Sequence, residues 1–105
     1  MTVMKILFLG DVVGRSGRSA VIRNLPTIIK INKIDFSIVN AENATSGMGL
    51  SVKHAKEILE IGVNCITLGD HAFDQKDMLQ FIETEHRILR PLNFSRSAPG
   101  KGSNI

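Results

Sequence analysis

The chain has 105 residues, is 43% hydrophobic, and carries a formal net charge of +3 with a single cysteine. That length suits one small domain, and the apolar content excludes a disordered segment. One cysteine excludes an intramolecular disulfide, and no dense Lys/Arg run is interleaved with aromatics, which argues against a dedicated nucleic-acid surface.

The first apolar run, residues 4–9, is broken by Gly10 and Asp11. It is too short for a signal-peptide core or a membrane span, so a cytoplasmic protein with no membrane partner is expected. The run reads as a strand buried on both faces. From about Arg15 to Ile31, apolar residues at Val21, Leu25, Ile28 and Ile29 keep helical spacing. Pro26 removes a backbone donor there, which predicts a kink or two short helices. Phe36–Asn40 is β-branched and aromatic, the mark of a second strand.

A loop of small residues, 44–49, follows. Ser51 can cap a helix over about 52–61, with Ala55, Ile58 and Leu59 inward and Gly62 as its stop. Residues 65–68 form a third strand, in which Cys65 is expected to be buried. Asp74 can cap a third helix whose Met78, Leu79, Phe81 and Ile82 pack inward. Ile88 and Leu89 begin a short fourth strand before Pro91, and the Ser-, Gly- and Pro-rich tail, 95–105, has little to pack. Strands alternating with helices predict an α/β fold with a parallel sheet. A sheet this small leaves at least one edge unpaired, so the chain reads as part of a larger fold.

Three polar turns follow the first three strands: Gly10-Asp11, Ala41-Glu42-Asn43 and Gly69-Asp70-His71. In a parallel sheet they emerge together at the carboxyl edge, where ligands bind. Asp, Glu, Asn and His there suit a hard metal ion and a phosphate bound to it. Each residue also has a plainer reading. Asp11 can be a cap or turn former, and Asn43 can form an Asx turn. His71 can be a surface or satisfied core histidine, and His54 and His86 are expected to be structural or solvated. Glu42 is harder to explain structurally, because Glu forms turns poorly. Arg15 and Arg18 could face a phosphate or simply be solvated. A dinucleotide site ranks lower: residues 10–17 spell neither G-x-G-x-x-G nor a P-loop, and Asp11 would repel a pyrophosphate.

These stretches resemble a known family. Residues 5–14 (KILFLGDVVG), 40–44 (NAENA), 47–50 (GMGL), 69–74 (GDHAFD), 90–94 (RPLNF) and 99–102 (PGKG) look like the N-terminal half of YmdB-type proteins. Those proteins are a branch of the calcineurin-like metallophosphoesterases. The resemblance implies part of an α/β/β/α-type metallophosphoesterase sandwich, with residues 1–105 as one truncated domain. It implies hydrolysis of a phosphodiester or cyclic nucleotide with two metal ions, often iron or manganese. By resemblance, Asp11 would bind one metal, Glu42 would bridge both, Asn43 would contribute nearby, and Asp70 would bind the second. His71 would assist the leaving group or phosphate.

Two departures stand out. The family motif reads Gly-Asn-His where this chain has Gly69-Asp70-His71. The further metal-binding histidines of the family's C-terminal half have no counterpart, since His54 and His86 do not match them. The chain alone is therefore expected to be impaired. The alternative is a non-catalytic fragment or interaction module, completed by a second copy or by a chain supplying the missing half.

Overall fold

The computed structural model describes residues 3–105. Its elements run β1 (Ile6–Leu9), α1 (Gly14–Asn32), β2 (Phe36–Asn40), α2 (Val52–Glu60), β3 (Cys65–Thr67), α3 (Met78–Phe81) and β4 (Ile88–Leu89). All four strands are parallel and stand in the sheet in chain order, β1-β2-β3-β4. The register pairs Phe8 with Ile38, Ile38 with Cys65, and Thr67 with Leu89. The alternating α/β architecture expected from sequence is therefore present.

Strand order 1-2-3-4 has a geometric consequence. Right-handed crossovers that always advance in one direction place every helix on the same side of the sheet. Burial along the strands shows this. Ser37, Val39, Ile66, Leu68 and Ile88 point toward the helices and are buried. They join Val21 and Leu25 of α1, Ala55, Ile58 and Leu59 of α2, and Met78 and Ile82 in one core. The alternate strand positions face the other way, and Ile6, Phe8 and Phe36 remain 59%, 63% and 39% exposed there. Parallel sheets are normally covered on both faces. This one displays a single helical layer and an open apolar face, half of the expected sandwich.

Several expectations need correction. α1 is one unbroken helix of 19 residues that includes Pro26. Pro26 lies on its exposed side, where solvent can satisfy the carbonyl left without a donor. Ile28 and Leu79 are each 40% exposed rather than packed inward. α3 is only four residues long, so a single turn cannot aim Met78, Leu79, Phe81 and Ile82 all at the core. Asp74 caps no helix: α3 begins four residues later, behind Asp77, whose carboxylate instead accepts from Val52 N–H at 3.2 Å. Cys65 is half-buried, because it lies on the open face of β3. The tail is tied down. Lys101 C=O accepts from Arg90 N–H (3.0 Å), Asn104 Nδ2 donates to His86 C=O (3.1 Å), and Gly100 packs on Ile82.

α2 meets its expectations. Ser51 Oγ accepts from His54 N–H at 3.3 Å, and Gly62 takes a φ of 106° just past the helix end. Among the described residues no helix is long and apolar enough to cross a membrane.

Candidate metal and phosphate site

The three polar turns do emerge at the carboxyl edge, and their backbones are tied to one another. Turn one meets turn two through Val12 N–H to Asn40 C=O (3.3 Å), Gly14 N–H to Asn43 C=O (3.0 Å), and a bridge pairing Val13 with Asn43. Turn two meets turn three through Ala41 N–H to Thr67 C=O (3.0 Å). Gln75 Nε2 also donates to Met48 C=O at 2.6 Å. Gly49, at φ 82°, comes so close to His71 C=O that a side chain would not fit between them.

The side chains follow. Asn43 Nδ2 donates to Asp11 Oδ2 at 2.9 Å, which orients the Asp11 carboxylate across the gap between β1 and β2. The Glu42 carboxylate lies directly against Gly69 of the neighbouring turn. Its backbone N–H donates to Asn40 Oδ1 at 3.4 Å. His71 Nδ1 lies 2.6 Å from Asp74 Oδ2. A carboxylate can only accept, so Nδ1 carries the proton and Nε2 is left for a ligand. Asp74 is thus bonded to His71 and does not cap the helix that its position in the sequence suggested. The i,i+3 spacing of His71 and Asp74 was the available signal.

Asn43 therefore meets Asp11, and Glu42 meets the turn that carries Gly69. Asp70 and His71 share that turn and are exposed. Of the two arginines, Arg18 is committed elsewhere: its Nη1 donates to Ala44 C=O at 2.6 Å and braces the loop after Asn43. The same loop is held by a polar cluster. Thr45 Oγ1 accepts from Ser51 N–H (2.9 Å) and lies 2.7 Å from His54 Nδ1. Burial, and then the nearby charge of Arg18, push the His54 imidazole below its ordinary pKa. His54 is thus a half-buried structural histidine, one of the two readings expected of it.

The donors can be tested against a metal. In kind they fit a hard divalent ion: carboxylate and amide oxygens, with one imidazole nearby. In number they fall short. Among the described residues no three or more His, Cys, Asp or Glu side chains converge on one point.

A parallel sheet with acidic and amide turns converging at its carboxyl edge is the layout of a phosphoesterase-like α/β protein. Comparison with known proteins makes this specific. A family model described as YmdB-like protein matches residues 7–105, and the chain belongs to that family. It is 41% identical over 99 residues to the 2',3'-cyclic-nucleotide 2'-phosphodiesterase of Bacillus subtilis (strain 168), covering 94% of this chain and 38% of that protein. Among solved structures, a novel phosphatase from Mycoplasma pneumoniae superposes with a TM-score of 0.89 at 42% identity, covering 97% of this chain and 38% of that one. A hypothetical protein from Thermus thermophilus gives 0.87 at 40% identity, with 94% and 38% covered. The chain thus spans well under half the length of the relatives it matches.

Proposed function

We propose that these 105 residues carry one flank of a metal-dependent phosphodiesterase site, of the kind that hydrolyses cyclic nucleotides. The carrying observation is the meeting of the three turns, with Asn43 bonded to Asp11 and the Glu42 carboxylate seated against Gly69. The name of the Bacillus subtilis relative supports the substrate class. In this reading Asp11, Glu42, Asn43 and Asp70 are the metal-binding residues, for two ions such as iron or manganese. Such ions, when bound, supply neutralisation of phosphate charge and activation of water. Asp11 is held in place by Asn43, and His71 offers Nε2 to the phosphate or leaving oxygen while Asp74 fixes its tautomer. Asp70 adds a negative charge, which tightens cation binding and opposes an approaching phosphodiester.

The remaining donors come from outside these residues, and the chain by itself has little or no turnover. A longer polypeptide, a second copy or a separate chain would supply them. The cell compartment we assign is the reducing cytoplasm, where Cys65 stays a free thiol. A second reading, a non-catalytic module that docks through its sheet, is favoured by one observation: the apolar face carrying Ile6, Phe8 and Phe36 is open.

Manganese titration followed by electron paramagnetic resonance tests the first reading. The chain is expected to bind Mn2+ weakly, and Glu42→Gln to weaken binding by about tenfold or more. Binding equal in wild type and Glu42→Gln, or none at all, would overturn it.

A further inference from the structure

Gly69 opens the third turn, directly after Leu68. Its backbone φ lies outside the left-handed region, so conformation alone does not call for glycine there. Space does. The three nearest atoms that a Cβ at position 69 would meet are Oε2, Cδ and Oε1 of Glu42, all well inside contact distance. Two of the other three crowded glycines differ, and the third, Gly100, faces the side chain of the buried Ile82. A Cβ on Gly49 would strike the His71 carbonyl, and one on Gly102 would strike the Leu92 backbone. At Gly69 the nearest obstruction is the far end of one flexible side chain.

The backbone behind that side chain is fixed. Ala41 N–H bonds Thr67 C=O at 3.0 Å, and Glu42 N–H bonds Asn40 Oδ1. A methyl group at position 69 would therefore leave the strands where they are and drive the carboxylate away. We infer that Gly69 is a positioning residue, the missing side chain that lets the Glu42 carboxylate lie flat across the end of β3. Its geometry stands alone, while its functional consequence rests on reading Glu42 as a metal-binding carboxylate. The inference also limits position 42. A carboxylate on a shorter stem would leave a gap over Gly69, and any side chain at 69 requires that shorter stem.

The test compares wild type with Gly69→Ala, Gly69→Ala/Glu42→Asp and Gly69→Ala/Glu42→Ala, each in the full chain. Glutamate-selective 13C labelling reads the side chain of Glu42 directly. In wild type its Hγ protons should show a nuclear Overhauser contact to the Gly69 Hα protons. In Gly69→Ala that pattern should be lost and the Glu42 side-chain signals shifted, with the melting curve little changed. Mn2+ affinity should fall by about tenfold or more and recover most of that loss in Gly69→Ala/Glu42→Asp. A Gly69→Ala protein with unmoved Glu42 signals overturns the inference. If Gly69→Ala unfolds, Gly69→Ala/Glu42→Ala should restore a wild-type melt, because the obstruction is gone. A double variant as unstable as the single one shows that the methyl strikes something else, and overturns it too. Failure of wild type to bind Mn2+ counts against the proposed function, and the Glu42 signals then decide the role of Gly69 by themselves.

Discussion

At the scale of single residues, the site is a set of short-range orientations. Asn43 aims Asp11, Gly69 makes room for Glu42, and Asp74 fixes the ring of His71. The His71 pair is exposed, so its value lies in tautomer control and not in stability. Asp74→Ala should change the melting free energy by less than about 1 kcal/mol. Long-range 15N–1H spectra should nonetheless show His71 moving from a single Nδ1–H tautomer to a mixture. An unchanged tautomer in Asp74→Ala would remove Asp74 from the site. Asp11, Glu42, Asn43, Asp70 and His71 were legible as candidates because polar residues directly after strands are conspicuous. Asp74 was misread because an acid near a helix start has an ordinary capping role, and only the shortness of α3 removes that role. That Gly69 makes room for Glu42 in particular was not legible, because nothing in a sequence shows which neighbour a missing side chain admits.

At the scale of elements, the strands were the most legible parts, since short apolar runs bounded by Gly, Pro or Asp have few other uses. The helices were less so. The inward stripe of α2 matched, and of the stripe expected around α3 Met78, Phe81 and Ile82 pack on the core while Leu79 does not. The tail was misjudged because its anchors are a backbone bond to Arg90 and the Asn104 amide bonded to the His86 carbonyl, partners that composition does not reveal. The loop after Asn43 offers a pH test. His54 is held below its ordinary pKa by burial and by Arg18, with smaller opposing effects from Glu57 and Asp77. A histidine with a depressed folded-state pKa contributes stability that is present above its unfolded value, 6.5. That contribution is lost as pH falls through the folded value. Denaturant melts at about pH 7.5 and at about pH 5 should therefore show a larger loss for wild type than for His54→Gln. Equal losses would mean that His54 is not desolvated by the loop.

At the scale of the whole molecule, one topological fact governs the rest. Chain-order strands with one crossover hand put all helices on one side and leave Ile6, Phe8 and Phe36 uncovered on the other. The same edge of the sheet carries the Asp11–Asn43 pair and the Glu42 carboxylate. The chain spans 38% of the Bacillus subtilis relative, and we propose that the rest of such a protein covers the bare face and completes the site. Which face of the sheet is bare follows only from strand order, which no single strand's sequence carries.

The most direct test of this half-site account is a complementation assay. The 105-residue chain would be mixed with the part of the Bacillus subtilis relative that it does not span, and assayed with Mn2+ and a 2',3'-cyclic nucleotide. The account predicts background hydrolysis by either piece alone, and turnover on mixing that Glu42→Gln abolishes. Full turnover by the 105 residues alone, or turnover of the mixture indifferent to Glu42→Gln, would contradict it.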